Sequence, residues 1–234
     1  HVRLHSFPTR RSSDLARAAS SVPGVARIRL SSIEPGTAER DLVDLMAAAE
    51  SRLCRTLHYP LQSGDAGVLK RMRRRYTPEQ YAAAVEDALA RVPRLGLGAD
   101  VITGFPGEDD AAFEASVGMI ERFPFSNLHV FPYSERPGTP AAAMDGAVPV
   151  ATRRERAQRL IAIGEEKRKR FAASFVGDEA EVLVERVDGD GVGRGWTSEY
   201  VEARIEGLAT ADVGRLVAMR VRSAVDGIVT GNAV

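Results

Sequence analysis

Cysteine is nearly absent from the sequence, which contains only Cys54 in 234 residues. A single thiol excludes an internal disulfide, and it excludes a metal or iron–sulfur site built from cysteines of this chain alone. No apolar run reaches the roughly 18 residues of a transmembrane helix, so no membrane association is expected. A cytoplasmic location is therefore the default expectation.

Net charge is also absent, but the charges are unevenly distributed. Residues 1–170 hold 26 basic and 21 acidic residues, whereas residues 171–234 hold 6 basic and 11 acidic residues. The net charge is therefore positive in the first part and negative in the second, which predicts two modules with different surfaces. The length suits either one large domain or two smaller ones, and nothing in the sequence indicates the oligomeric state.

One stretch, residues 56–77, combines a short apolar strand, a polar turn and a helix. The strand breaks at Gln62-Ser63-Gly64, and Asp65 is suited to cap a helix that runs to about residue 73. In α/β sheets and barrels, ligands bind at the end of the strand where such a turn lies. Five cations follow, and they suit either solvent or a bound anion: Lys70, Arg71, Arg73, Arg74 and Arg75.

Alternating strands and helices predict an α/β fold with parallel βαβ units. The predicted strands cover residues 25–33, 56–61, 97–103 and 127–131, and the predicted helices cover about 37–50, 65–73, 78–92 and 107–123. Four strands are too few to close a (β/α) barrel, so they form half of one or a small open sheet. A long basic helix is predicted at 152–175.

The predicted domains follow from these changes in pattern. Residues 5–15 resemble the translation of a sequencing-adapter oligonucleotide, so 1–24 are expected to be non-native or disordered. Residues 25–150 form the α/β part, and 151–177 form a basic connecting helix. Five short alternating segments in 178–234, separated by Gly and Asp, predict a small antiparallel β-barrel.

Four blocks together resemble the radical S-adenosylmethionine (SAM) methylthiotransferases: RIRLSSIEP (27–35), LHYPLQSGDAGVLKRMRRRYT (57–77), ADVITGFPGEDDAAF (99–113) and LHVFPYSERPGTPAAAM (128–144). The tail resembles the TRAM domain, a small β-barrel. Three segments within these blocks, SSIEP, LHYPLQSG and HVFPYSERPGT, are most similar in sequence to the branch that acts on N6-threonylcarbamoyladenosine in tRNA. This implies a partial radical-SAM barrel, containing only the later strands, followed by a TRAM barrel.

The resemblance implies SAM and two [4Fe–4S] clusters as cofactors, with tRNA as the partner. Neither cluster motif is present, so the chain is expected to be a C-terminal part of the enzyme, without catalytic residues of its own and inactive alone. Gln62 and Arg74 match the spacing of residues that hold SAM. The full set of implied cofactor contacts is Gln62, Ser63, Arg74, Val101, Ile102, Gly104, Phe131 and Tyr133. Packing is the competing interpretation for Val101, Ile102 and Phe131.

RNA contacts are expected from basic residues and from rings on the tail, with a solvated face or core packing as the alternatives. They are Lys70, Arg71, Arg153, Arg154, Lys167, Arg168, Arg170, Arg194, Trp196 and Tyr200. His58 and His129 are each isolated in sequence, so packing is favoured and no metal ligand is predicted. The rival function is a non-catalytic RNA-binding protein, and other methylthiotransferase branches also remain open.

Overall fold

The computed structural model describes residues 12–34, 40–48 and 51–234, in which an α/β unit precedes a closed β-barrel. Both ends of the predicted helix 37–50 lie outside the described residues. The helices are α1 (Ser12–Ser20), α2 (Arg40–Ala47), α3 (Ala66–Arg71), α4 (Pro78–Arg91), α5 (Asp110–Arg122) and α6 (Val150–Ala173). The strands are β1 (Thr56–His58), β2 (Gly96–Thr103), β3 (Phe125–Pro132), β4 (Glu179–Val187), β5 (Val192–Thr197), β6 (Glu202–Glu206), β7 (Leu216–Val225) and β8 (Ile228–Ala233).

A three-stranded parallel sheet, in the order β1-β2-β3, forms the centre of the α/β unit. The strand predicted at 25–33 is not formed as a strand, and its only bridge joins Ile28 to Leu53. Ile28 N–H donates to the Arg52 carbonyl, but Ile33 N–H donates to the His58 carbonyl. The intervening residues therefore make no continuous ladder with β1.

Local capping explains where three helices begin. The Asp65 carboxylate accepts from Val68 N–H at 2.8 Å, and Asp109 accepts from Ala112 N–H in the same way. Thr77 and Gln80 form a reciprocal capping box at the start of α4, whose first residue is proline. These side chains satisfy N–H groups that have no partner within the helix. Helices α3 and α4 begin where the sequence predicts, whereas α5 begins at Asp110, three residues after the predicted start.

The two faces of the sheet differ because successive side chains of a strand alternate. Leu97, Ala99 and Val101 of β2 are fully buried in the core beneath the helices. Asp100 and Ile102 project to the other face and are only partly buried. Two cavities lie on that second face.

Helix α6, predicted as a basic connecting helix, is also an integral layer of the fold. Leu160 is fully buried in the sheet core, and Gly164 lets the helix approach Leu128 of β3 closely. At the other end of the helix, Ala172 belongs to the barrel core, together with Phe175 just beyond it. One helix therefore packs against both units.

The barrel closes in the order β4-β5-β6-β8-β7. Its five strands confirm the predicted number, but β6 and β8 pair in parallel, so the barrel is not wholly antiparallel. It docks where the parallel strands start: Arg55 N–H donates to Ser198 Oγ at 2.9 Å, and Arg27 donates to the Trp196 carbonyl at 3.0 Å. A side chain at Gly96 would collide with the Glu199 carbonyl, which explains the glycine there.

Residues 1–24 are predicted to be non-native or disordered, but the described part of this segment contains a helix, and residues 1–11 lie outside the described residues. Residues 12–20 form α1, whose Ala16 is buried in the sheet core, and Arg52 donates to the Ser20 carbonyl just behind the helix. Burial of Ala16 gives this segment a packing partner that a polar terminus would lack. Within the part of the chain described, no helix has both the length and the apolar character needed to span a membrane.

Candidate functional site

The upper cavity, of about 600 Å³, lies at the C-terminal end of the parallel strands. Parallel α/β folds bind ligands at this end. Apolar groups and a few polar side chains form its wall, a mixture typical of small-molecule sites. The cavity is lined by Gln62, Asp100, Ile102, Phe131, Tyr133, Arg136 and four further residues.

Gln62 lies where β1 ends, and its backbone is held by β2. Its N–H donates to the Asp100 carbonyl at 2.8 Å, and its own carbonyl accepts from Ile102 N–H at 3.0 Å. Its φ of 62° is in the left-handed region, which glutamine seldom adopts. Gln62 is buried, yet no group among the described residues hydrogen-bonds to its side-chain amide. A left-handed backbone and an unpartnered side-chain amide beside a cavity indicate a binding role.

Arg74 lines a second cavity of about 360 Å³, the arginine-side cavity, together with Met72, Phe105 and Met144. Ile102, Thr139 and Ala141 line both cavities, so the two are neighbours. Arg74 forms a long ion pair with Glu34, with 3.6 Å between Nη1 and Oε1. Gln62 and Arg74 are therefore close to one ligand-sized region, but they line different parts of it.

Three predicted cofactor contacts have structural roles instead. Ser63 is fully buried, and its Oγ accepts from Asp65 N–H at 3.2 Å. Val101 is fully buried in the core because β2 turns it toward the helices. Gly104, with φ +72°, makes its close approach to the Arg153 side chain rather than to an open cavity. None of the three lines either cavity.

Phe131 and Tyr133 both line the upper cavity, as the sequence predicts for a cofactor or base contact. The exposed Phe131 ring stands free of the core, which removes the packing interpretation. The Tyr133 ring lies edge-on to Phe105 with 5.2 Å between centroids, and its hydroxyl is buried without a partner. Their contact with a ligand stays a prediction.

Sequence reasoning missed Arg136 as part of this site. Arg136 lines the upper cavity and has no ion-pair partner among the described residues. It lies in SERPGTP, part of one block that carries the family resemblance, but the sequence analysis assigns Arg136 no role. The turn around Arg136, where Thr139 Oγ1 donates to the Arg136 carbonyl at 2.8 Å, folds back over the sheet.

Two of the basic residues after β1, Lys70 and Arg71, are predicted RNA contacts, and the structure gives them different surroundings. Lys70 is exposed, and its role in RNA binding stays a prediction. Arg71 donates from Nε to the Pro106 carbonyl at 2.8 Å and forms an ion pair with Asp145 at 2.6 Å. This guanidinium lowers the pKa of the Asp145 carboxyl. Arg71 holds two loops together and is not a free RNA contact.

The basic side chains of α6 are mostly engaged, which corrects the prediction of an RNA-binding stripe. Arg153 is buried and donates to the carbonyls of Val148 and Tyr133, and it pairs with Glu135. Lys167 donates to the Phe123 carbonyl at 2.9 Å, so it caps the end of α5. Arg168 donates to the Asp226 carbonyl at 2.7 Å. Arg154 and Arg170 are the two of the five predicted contacts on α6 that are exposed and have no partner within the described ranges.

The rings predicted to face RNA lie at the junction of the two units. Trp196 and Tyr200 stack with 4.5 Å between centroids, and the Arg29 guanidinium lies 4.3 Å from the Tyr200 centroid. Both rings line the interdomain cavity, of about 270 Å³, which also includes His129 and Arg168. Tyr200 precedes β6 with φ 67°, so it does not lie on a strand. The rings face the sheet unit rather than the outer wall of the barrel.

An arginine row on the barrel was not predicted as a group. In the strand register, Arg186 lies opposite Arg194, and Arg194 lies opposite Arg204, on three adjacent strands. The Nε atoms of Arg194 and Arg204 are buried without a hydrogen-bond partner, and one carboxylate, Asp188, lies 3.6 Å from Arg194. Like charges directly across a sheet are destabilising, so the row concentrates positive charge at a cost to the stability of the barrel. The row becomes visible only from the register of the barrel strands. Of its three members, only Arg194 is predicted from the sequence as an RNA contact.

His58 and His129 are not isolated, which overturns the reason for favouring packing. His58 Nε2 lies 3.0 Å from Asp100 Oδ1, and His129 Nδ1 lies 3.2 Å from the same oxygen. The strand register brings them together, because His58 is opposite Gly98 and His129 is opposite Asp100. Sequence spacing carried no signal of this cluster.

Cys54 does not provide a cluster site. The thiol is buried with about 2% of its surface exposed, and burial raises its pKa. Iron–sulfur clusters require several cysteine thiolates, and this chain has one cysteine. Its residues therefore do not fit a [4Fe–4S] cluster, whereas the buried amide of Gln62 and the two cavities fit a small polar molecule such as SAM.

Comparison with known proteins identifies the class first. Residues 9–120 match the model of the Radical SAM superfamily. The fold is similar to coproporphyrinogen III oxidase (HemN) from Escherichia coli, a radical SAM enzyme, with a TM-score of 0.50 and 15% identity over 77% of this chain and 46% of that chain. The α/β unit is therefore of the radical SAM type, a class that uses SAM and [4Fe–4S] clusters.

Two relatives define the family within that class. A tRNA-2-methylthio-N(6)-dimethylallyladenosine synthase of Mycobacterium bovis is 38% identical over 205 residues, which are 88% of this chain and 38% of the relative. A threonylcarbamoyladenosine tRNA methylthiotransferase of Bacillus subtilis is 35% identical over 214 residues, which are 90% of this chain and 47% of the relative. The chain spans less than half the length of these relatives. It is a homologue of the radical SAM tRNA methylthiotransferases, which confirms the resemblance seen in its motifs.

Proposed function

We propose that this chain is part of a SAM-dependent methylthiotransferase that modifies an adenosine of tRNA. The observation that carries the proposal is Gln62, a buried, left-handed residue whose amide has no partner in the described structure and which faces the upper cavity. Positioned polar groups at the C-terminal edge of a parallel sheet are the usual means of orienting a small ligand in such folds.

SAM would supply the methyl group and a hydrogen-abstracting radical. The Gln62 amide can donate to and accept from ribose hydroxyls or a carboxylate. The Arg74 guanidinium, in the neighbouring cavity, suits the methionine carboxylate through paired hydrogen bonds. Ile102, Phe131 and Tyr133 give apolar and aromatic surface for a flat adenine ring. The Cβ-free Gly104 is excluded from this role, since Arg153 covers it.

Within the family we favour the N6-threonylcarbamoyladenosine branch. The support is the wording of three segments: SSIEP at 31–35, LHYPLQSG at 57–64 and HVFPYSERPGT at 129–139. Relatives from both tRNA branches have similar identity to this chain, so the motifs rather than the overall identity carry this choice. A cytoplasmic location goes with a tRNA substrate.

We assign the closed five-stranded barrel to the TRAM type and give it a part in holding tRNA. The arginine row supports this, because a barrel with net acidic charge needs a local cationic patch to attract phosphates. Arg186, Arg194 and Arg204 provide such a patch on adjacent strands. Lys70, Arg154 and Arg170 are further exposed cations on the sheet unit.

The test is SAM binding to the chain by calorimetry, with three variants. Arg74→Ala removes a charge-assisted contact, which should weaken binding by about 1.5–3 kcal/mol, or roughly ten- to a hundredfold. Gln62→Asn shortens the amide but keeps a residue that tolerates a left-handed backbone, and it should also weaken binding. Arg75→Ala is the matched control, because Arg75 is exposed and lines neither cavity. Equal affinity in the Arg74 and Arg75 variants would contradict the assignment.

The rival function is an RNA-binding protein without catalysis. The single cysteine favours it, since the chain cannot hold a cluster with its own thiols. It predicts RNA binding through the arginine row and no SAM binding by the unmodified chain. The same calorimetric titration therefore separates the two functions.

A further inference from the structure

Three metal-ligating side chains meet on the open face of the sheet. His58 on β1, Asp100 on β2 and His129 on β3 each come from a different neighbouring strand. One ligand atom from each lies within 4.8 Å of the others. The distances from Asp100 Oδ1 are 3.0 Å to His58 Nε2 and 3.2 Å to His129 Nδ1.

We propose that His58, Asp100 and His129 bind a divalent transition-metal ion of the Zn²⁺ type. This goes beyond the proposed function, which gives these residues no part. Two imidazoles and one carboxylate are a common ligand set for zinc and non-haem iron. Ligands at about 2.0–2.1 Å from a tetrahedral zinc ion stand roughly 3.3 Å apart. The observed separations from the carboxylate oxygen therefore need little adjustment to admit an ion.

The surroundings hold the ligands in this arrangement. The Asn127 side-chain amide lies 3.2 Å from His129 Nε2, so it orients the ring with Nδ1 toward Asp100. A metal-bound His129 would carry its proton on Nε2 and donate it to an acceptor, a role that the Asn127 side-chain oxygen can take when the amide turns over. Gly98 is opposite His58 in register, and a Cβ there would lie 2.6 Å from His58 Nδ1. The missing side chain makes room for the ring.

Three protein ligands leave at least one coordination position for water or another oxygen ligand, as in catalytic zinc sites. Asp100 also lines the upper cavity, and His129 also lines the interdomain cavity. A bound ion would therefore lie between the two cavities. An oxygen of a molecule in either cavity is the natural occupant of the open position.

The experiment titrates the metal-free chain with Zn²⁺ by calorimetry and with Co²⁺ by visible absorption. We expect one ion per chain and the strong d–d bands of a four- or five-coordinate cobalt site. His58→Ala, His129→Ala and Asp100→Asn should each weaken binding by more than the roughly 10–100-fold loss typical of an outer-shell substitution. Asp100→Asn keeps the shape of the side chain, and circular dichroism of each variant establishes that it folds.

The matched control uses the remaining two histidines, His1 and His5, both replaced by alanine. Unchanged binding in this control supports the site, and loss of binding there overturns it. A thiolate-to-cobalt charge-transfer band would point to Cys54 and overturn it as well. The proposal is also overturned if the unmodified chain binds no metal, or if metal binding survives the double substitution His58→Ala with His129→Ala. The three side chains would then form only a hydrogen-bonded cluster. Arg74→Ala should leave metal binding intact, so a failed SAM site and a failed metal site are distinguishable.

Discussion

Glu108 and Arg156 form a buried ion pair, with 2.7 Å between Oε1 and Nη1 and side-chain exposures of 1% and 8%. The same carboxylate accepts from Gly104 N–H at 2.7 Å. Burial raises the pKa of Glu108, whereas the Gly104 amide and Arg156 act in the opposite direction. The pair joins the turn after β2 to α6.

Replacing Glu108 by alanine should therefore cost about 1–3 kcal/mol of unfolding free energy, because Arg156 loses its buried carboxylate partner and keeps only the exposed Asp110 at 2.6 Å. Urea unfolding measures the loss. The control is Glu114→Ala, which breaks an exposed ion pair with Arg159 and should cost no more than about 1 kcal/mol. Similar losses in the two variants would mean that burial of the Glu108 pair is unimportant.

Gly104→Ala and Gly118→Ala should have opposite effects on stability. A Cβ at Gly104 would lie less than 3.0 Å from the Arg153 side chain, and φ is +72°, so a loss of about 1–3 kcal/mol is expected. Gly118 is an exposed residue of α5 with nothing near its Cβ position. Alanine there should stabilise the helix by about 0.5–1 kcal/mol. Thermal unfolding of the two variants tests both expectations. A Gly104→Ala variant as stable as the wild type would contradict the packing of Arg153 against Gly104.

Stability should fall in acid through Glu135. The hydrogen bond from Arg153 lowers the pKa of Glu135 from its ordinary 4.5 to about 2. A carboxyl with a lowered pKa in the folded state contributes stability above 4.5, and this contribution is lost as the pH falls toward 2. The difference in unfolding free energy between the wild type and Glu135→Gln should accordingly shrink between pH 5 and pH 3. A constant difference across that range would show that the pair does not favour the ionised form.

The arginine row should govern the salt dependence of RNA binding. Replacing Arg186, Arg194 and Arg204 by glutamine should reduce the slope of log K against log salt by about 0.7–0.9 per lost phosphate contact. Removing like charges from facing strands should leave thermal stability unchanged or raised.

Lys167→Ala with Arg168→Ala is the comparison for the arginine row, since both side chains donate to backbone carbonyls. This variant should keep the salt slope and lose stability. A flattened slope in the helix variant alone would restore α6 as the RNA contact.

Local features were predictable from the sequence, and features that depend on strand register were not. Asp65 and Thr77 cap helices through neighbours three residues away, so their roles are visible in a short window. Arg153 looked like one of many surface cations, because its partners Tyr133 and Glu135 lie on another element.

The same reason explains the unpredicted clusters. His58, Asp100 and His129 are more than 25 residues apart in pairs, and only the pairing of β1, β2 and β3 brings them together. Arg186, Arg194 and Arg204 likewise meet only through barrel register. A pattern of alternation predicts which face a side chain takes, but not which side chain of the next strand lies beside it.

The continuity of α6 has a mechanical consequence. Its 24 residues extend about 36 Å at 1.5 Å per residue, and its middle and its C-terminal end are packed in different cores. A tilt of the barrel relative to the sheet would have to bend this helix or pull one end from its core. Force applied to the barrel would thus be transmitted along α6 to the edge strand β3 and to the residues that line the upper cavity.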